Sequence, residues 1–149
     1  MIIRKAELKD IDGVFELVKE FFKESLSEYG LKLEEKTIKE TLENYIQDLI
    51  GIVAEENGKI IGAIGGLVSP SIFDKSQLVG QETIWFVNGE KRKGRVGIEL
   101  INAFEKECKL RGAHLIAMVH MGNLNGDILD RYYKKRNYNL LERQYIKGV

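Results

Sequence analysis

Apolar residues recur along the chain with two periods, and the switches between them divide it into elements. Met1–Ala6 reads as a first strand. Ile11, Val14, Phe15, Val18, Phe21 and Phe22 then fall at helical spacing behind Asp10, a residue type that caps helices. Ser25–Leu33 is polar, contains Gly30 and reads as a loop. Thr37-x-x-Glu40 is a capping-box pattern, and it opens a second helix with Ile38, Leu42, Tyr45, Ile46 and Leu49 on one side. Ile50–Glu55 and Lys59–Val68 read as two strands of a hairpin with Asn57-Gly58 at its tip. Gly62, Gly65 and Gly66 interrupt the second strand, which marks a bulge or the close approach of another backbone. After a loop at Ser69–Ser76, Gln77–Val87 is a further strand. Leu100, Ile101, Phe104 and Cys108 mark a central helix that ends at Arg111-Gly112. His114–His120 is an apolar strand, Gly122–Gly126 a loop, Asp127–Arg136 a short helix and Leu140–Lys147 a last strand.

The predicted order is β-α-α-β-β-β-α-β-α-β, an α/β chain with a mixed central sheet of about six strands and about four helices. Its 149 residues suit a single domain over 1–149, and the one proline, Pro70, leaves no Pro-rich linker. Hydrophobic residues make up 44% and charged residues 31%, the balance of an ordinary globular chain. Lys+Arg and Asp+Glu both number 23, and the resulting zero net charge weighs against general nucleic-acid binding. No apolar run is long enough for a membrane span and no signal peptide is evident. The single Cys108 permits no internal disulfide and fits a reducing, cytoplasmic setting; it sits on the buried face of its helix, as core. His114 and His120 flank a strand without a second ligand set, so no metal site is expected.

The stretch that changes this picture is 82–108. A β-branched and aromatic strand, Thr83-Ile-Trp-Phe-Val87, turns at Asn88-Gly89. Lys91, Arg92, Lys93 and Arg95 follow, interleaved with Gly94 and closed by Gly97 at the start of the central helix. The first N–H groups of a helix have no intrahelical partner and carry the positive end of its dipole. Glycine admits a ligand close to that backbone, and the cations add charge. Strand, basic glycine loop and helix together make an anion site whose usual occupant is a phosphate. The loop has neither the Gly-Lys-Ser/Thr of a P-loop nor the spaced glycines of a dinucleotide fold.

Arg92-Lys93-Gly94-Arg95-Val96-Gly97 resembles the acetyl-CoA loop of the GNAT superfamily of N-acetyltransferases, Arg/Gln-x-x-Gly-x-Gly/Ala, with Arg95 at the middle of the closing glycine pattern. The element order is that of the GNAT fold along essentially the whole chain. Gly58-Lys-Ile-Ile-Gly62 is similar to the family's second hairpin. Tyr133-Lys-Lys-Arg-Asn-Tyr138 is similar to its C-terminal Tyr-x-x-x-Gly-Phe, with Asn137 in place of the glycine.

The resemblance implies transfer of an acetyl group from acetyl-CoA, as co-substrate, to a primary amine by direct attack in a ternary complex. It equally accommodates a non-catalytic acyl-CoA-binding sensor or structural module. Arg92, Lys93, Gly94, Arg95, Val96 and Gly97 become the pyrophosphate anchors. Arg95 either blocks backbone approach or grips a phosphate itself. Phe86 and Val87 join the cofactor set, with a backbone N–H of the Trp85–Val87 stretch as oxyanion donor. Asn125, and with it Asn123, lies where the family often has a CoA-touching Asn; a loop-forming role is the alternative. Glu82 is the candidate base, placed by strand alternation on the face of Ile84 and Phe86, opposite Trp85; the alternative is a carboxylate paired with a Lys or Arg, or an exposed one. Tyr133 is the candidate acid, with Tyr132 about 100° around the same helix, so only one of them faces the site; the alternative is that either tyrosine packs in the core with its hydroxyl hydrogen-bonded. Glu24, Glu28, Glu34, Glu35 and Asp74 lie in segments expected to frame the acceptor, together with a C-terminal hairpin. The expected partner is a small-molecule or peptide amine, with neither nucleic acid nor membrane; a homodimer is compatible with the fold.

Overall fold

A computed structural model of the chain describes residues 1–124 and 126–149. Its elements run β1 (Ile2–Lys5), α1 (Ile11–Ser25), α2 (Glu35–Gln47), β2 (Ile50–Glu56), β3 (Lys59–Pro70), β4 (Leu78–Val87), α3 (Val96–Leu110), β5 (Ala113–Ala117) and α4 (Gly126–Lys135). The five strands form one mixed sheet in sequence order. Neighbours are antiparallel except β4 and β5, which α3 connects as a parallel crossover.

Two apolar layers hold the sheet between helices. On one face Val14, Phe15 and Val18 of α1 and Leu42 of α2 pack on Val53, with Ile84 at the margin. On the other, Val96, Leu100, Ile101, Phe104 and Cys108 of α3 and Tyr133 of α4 pack on Ile52, Ala54, Ile64 and Val87. Helical periodicity in the sequence selected these faces correctly, Cys108 included; its burial pushes the thiol up to about 11, which keeps it an unreactive core residue. The left-handed positions also fall as expected, at Gly112 (φ 81°) after α3 and Asn137 (φ 65°) after α4.

Three sequence expectations are corrected. The cap of α2 is Glu34, whose carboxylate accepts the N–H groups of Lys36 and Thr37 and the Thr37 hydroxyl. Thr37 is thus inside the first turn. The expected strand at Leu140–Lys147 does not form: Leu140, Leu141, Tyr145 and Ile146 are exposed, and the sheet has five strands. β-propensity expresses side-chain packing against neighbouring strands, and this segment has no such neighbour among the described residues.

The third correction concerns the face of Glu82. Gly65 pairs with Ile84 but Gly66 pairs with Glu82, so Thr83 is an extra residue, a bulge in β4. Strand alternation therefore changes phase at Thr83. Ile84 and Phe86 face α1 and α2, where Phe86 meets Phe21 edge-on at 5.4 Å. Glu82 lies with Trp85 and Val87 on the α3 face. Gly66, its cross-strand partner, comes so close to α3 that a Cβ there would lie 2.7 Å from the Phe104 ring and 2.2 Å from the Gln81 carbonyl oxygen.

Gly66→Ala is therefore expected to destabilise the fold by about 3 kcal/mol, because backbone and a core ring must both yield. Urea unfolding checks this; an unchanged midpoint would show that the bulge tolerates a side chain.

Candidate active site

The parallel pairing of β4 with β5 stops at Gln81 opposite Ala117, although β4 continues to Val87. The two strands part there and leave the outer edge of β4 beyond Gln81 without a strand partner among the described residues. The bulge sits at this fork and delivers Glu82 into it. Glu82 is 2% exposed. Its Oε2 accepts the Val119 N–H at 3.1 Å, and no cation pairs with it among the described residues. Burial pushes the carboxyl up from 4.5 to about 7, against a smaller opposing effect of that hydrogen bond. Glu82 is thus neither exposed nor paired with a Lys or Arg among the described residues.

Tyr133 reaches the same residue from α4. It is 7% exposed and its hydroxyl donates to the Val119 carbonyl at 3.2 Å. Burial, and next the Glu82 charge, push the phenol far above its ordinary range, which keeps it protonated. The sequence left Tyr132 and Tyr133 open. In the structure Tyr133 joins Glu82 at Val119, whereas Tyr132 turns toward Arg136, whose guanidinium lies 5.6 Å from its ring.

Sequence reasoning missed Val119, whose peptide links the two side chains through its backbone, which no residue pattern announces. It also missed His120, read only as a non-ligand. Its ring stacks on Tyr133 with centroids 6.2 Å apart, and its Nε2 lies 2.9 Å from Asp130 Oδ1.

The basic loop divides its cations by role. Asn88 caps a short 3-10 turn at Gly89–Lys91 by accepting the Glu90 N–H. Lys91 pairs with Glu56. Arg92 turns inward: its Nε donates to the Val87 carbonyl at 2.9 Å, its Nη2 lies 2.7 Å from Glu24, and its guanidinium covers the Phe86 ring at 4.7 Å. Glu20, one helical turn before Glu24, accepts from Asn88 Nδ2 and from the Gly89 N–H. Two acids of α1 thus fasten the loop, a role the sequence did not suggest for Glu24. Glu34 is spent on its cap, Glu35 pairs with Lys39 and Asp74 closes its own turn at Ser76, so these acids are already partnered.

Lys93 and Arg95 point outward. Arg95 is 81% exposed and pairs with Glu99 along the helix at 2.8 Å, so its side chain lies beside α3 and not across the start of the helix. A Cβ on Gly94 would meet only the Lys91 carbonyl oxygen, at 3.4 Å. Val96, Gly97 and Ile98 occupy the first turn, where N–H groups have no intrahelical acceptor. Gly97 has a packing role as well, since a Cβ there would lie 3.0 Å from Trp85. Asn123 lies beside α1, donating to the Ser25 carbonyl at 3.3 Å, and Asn125 falls outside the described residues.

Comparison with known proteins bears on this arrangement. The family model described as "Acetyltransferase (GNAT) family" matches residues 11–138. No curated protein sequence matches the chain. Among solved structures, a transcriptional regulator from Bacillus halodurans superposes with TM-score 0.80 at 17% identity, covering 99% of both chains. A predicted acetyltransferase with acetyl-CoA from Clostridium acetobutylicum gives 0.73 at 21% identity, covering 99% of this chain and 95% of that one. Glucosamine-6-phosphate N-acetyltransferase from Arabidopsis thaliana gives 0.74 at 19%, covering 98% and 96%. At these identities the superpositions speak to the fold.

The buried carboxyl has a consequence for stability. In the folded chain Glu82 holds its proton up to about pH 7, whereas in the unfolded chain it loses it near 4.5. Between those values the folded state binds more protons, so this group's contribution to stability falls as pH rises, by roughly 3 kcal/mol across the window. Glu82→Gln should gain stability over the wild type progressively from pH 4.5 to 7. Denaturant unfolding of both proteins at several pH values reads the difference; a difference independent of pH would mean that Glu82 is already ionised in the fold.

Proposed function

The chain belongs to the GNAT family of acetyltransferases, and we propose that it is an N-acetyltransferase that moves the acetyl group of acetyl-CoA to a primary amine by direct attack in a ternary complex. The observation that carries this reading is the meeting of Glu82 and Tyr133 on the Val119 peptide at the fork between β4 and β5. A desolvated carboxyl without a cation is costly to maintain, and chemistry gives a reason for it.

In the reaction the amine nitrogen bonds to the thioester carbonyl carbon, the C–S bond breaks, and the amine's proton and the thiolate's charge must both be accommodated. A carboxylate titrating near 7 takes the amine proton, directly or through one water, because its basicity matches the working pH. The Tyr133 phenol, protonated throughout, turns from the Val119 carbonyl to the departing sulfur and supplies its proton. The unpaired edge of β4 over Trp85–Val87 offers backbone N–H groups for the developing oxyanion.

The loop fits a pyrophosphate. Gly94 admits close approach, the first-turn N–H groups of α3 point outward from the helix, and Lys93 and Arg95 supply mobile-length cations at the rim. Arg92 contributes differently from the sequence expectation, by fixing the loop through Glu24. Arg95 replaces a glycine without obstructing the backbone and is free to exchange Glu99 for a phosphate oxygen.

Acetyl-CoA at about 100 times its dissociation constant should stabilise the protein by about 2.7 kcal/mol. Arg95→Ala should weaken that binding with little effect on the unliganded protein. Arg92→Ala should lower the stability of the unliganded protein, by about 1–2 kcal/mol. Calorimetric titration beside thermal unfolding separates the two; acetyl-CoA affinity unchanged in Arg95→Ala would remove it from the anchor.

Turnover is tested with a panel of amines that includes polyamines, aminoglycosides and amino sugars. Tyr133→Phe should lower kcat by roughly 10²–10⁴-fold with acetyl-CoA binding retained. Glu82→Gln should keep binding and abolish the acidic limb of the pH–rate profile near 7. Acetyl-CoA binding without turnover of any amine would favour the non-catalytic acyl-CoA module instead.

A further inference from the structure

His120 lies outside the roles assigned so far, yet its contacts converge on them. It follows Val119, the residue whose peptide takes Glu82 on one side and Tyr133 on the other. Gly126, Asp130 and Tyr133 of α4 are spaced i, i+4 and i+7, one stripe of the helix, and the imidazole lies along that stripe. A Cβ on Gly126 would stand 3.2 Å from His120 Cε1, Asp130 Oδ1 lies 2.9 Å from Nε2, and the Tyr133 ring stacks at an interplanar angle of 24°. Nδ1 is 3.4 Å from the Met121 carbonyl oxygen. One ring therefore fastens the end of the β5 segment to the start, the middle and the functional turn of α4.

We propose that His120, clasped by Asp130, is a positioning residue for Tyr133, holding its ring beside Val119 at the fork. The inference rests on the acetyl-transfer reading of the site for its kinetic consequence, but its structural content stands apart from it. Tyr133 packs in the α3-side core, and the end of α4 is tied to α3 through Arg136 on Glu105; these contacts and the Tyr133–Val119 hydrogen bond all lie at Tyr133 or beyond it in the chain, and none reaches the first half of the helix. The Asp130 bond is placed about one turn earlier on the same face and fixes that half of the helix to the segment after β5. The His120 hydrogen bond, with Lys134 and Arg143 nearby, holds the Asp130 carboxyl below its ordinary range, so the anion that grips the imidazole persists. Misplacing a reacting group by about 1 Å can cost on the order of 10²-fold in rate, so a fastener of this kind matters to turnover without touching substrate.

The test combines a readout of position with one of rate. The sequence contains two histidines, so His120 is assigned in the proton spectrum by comparison with His114→Gln. In the unliganded protein the nuclear Overhauser contact between the Tyr133 ring and Val119 should weaken strongly in His120→Ala and in Asp130→Asn, with resonances of β1 and β2 unmoved. An undiminished contact in both variants overturns the proposal, whether or not any amine is turned over. With acetyl-CoA and an amine from the panel, His120→Ala should lower kcat about 10-fold or more with the KM for acetyl-CoA within about twofold. In the Tyr133→Phe background the same change should cost nothing further. Equal losses in both backgrounds would show that His120 acts independently of Tyr133 and would overturn the proposal. Absence of turnover with every amine would fail the acetyl-transfer reading while the spectroscopic arm still decides the placement.

Discussion

A single extra residue in β4 governs what the site contains. With Thr83 bulged out, side chains before and after it lie in opposite phase, so Glu82 enters the α3 side while Ile84 and Phe86 serve the α1 side. The bulge is possible because Gly66 has no side chain to collide with Gln81 and Phe104. In an unbroken ladder Glu82 would share a face with Ile84 and Phe86, under α1 and α2 and away from Val119 and Tyr133. The parting of β4 from β5 begins one residue before Glu82, at Gln81. Opening of the sheet and delivery of the carboxyl therefore occur at one place along the strand.

At that fork Glu82 and Tyr133 are satisfied through backbone and not through opposite charges. Glu82 takes an N–H and Tyr133 gives to a C=O of the same residue. A salt bridge to Glu82 would hold it ionised and make it a poor proton acceptor near neutrality. Ion pairs of Lys and Arg among the described residues serve other places: Arg4 with Asp10 and Glu55 ties β1 to β2 and to the turn before α1, and Lys5 and Arg111 meet Glu107 of α3. Charge pairing fastens elements; no Lys or Arg pairs with Glu82 among the described residues.

Much of this was legible in the sequence, for identifiable reasons. Helical periodicity located the faces of α1 and α3 because packing enforces it over several turns, and Asn57-Gly58, Gly112 and Asn137 announced their turns because few residues accept positive φ. Three glycines in β3 signalled a bulge, and β3 has one, with Ile61 extra beside Gly62; they did not signal the second, with Thr83 extra on the opposite strand, and alternation from Trp85 backwards then placed Glu82 on the wrong face. The strand expected at Leu140–Lys147 has the right residue types, and β5 leaves an edge of the sheet unpaired among the described residues, but the segment does not pair there. The contacts of Val119 are backbone chemistry, which no residue pattern announced. The inward turn of Arg92 was hidden because its partner, Glu24, lies far back in α1.

That last pair joins positions 24 and 92 as a unit of inheritance. Each charge is only partly exposed, at 31% and 28%, and Arg92 is also pressed on Phe86. Losing either partner strands the other, whereas exchanging both for apolar groups of similar volume can be close to neutral. Descendants of this chain therefore have an easier path through paired than through single replacements here. Such a constraint would leave its mark as covariation between a helix and a loop that are distant in the chain, and it would fall on a brace of the loop as distinct from the groups that meet the ligand.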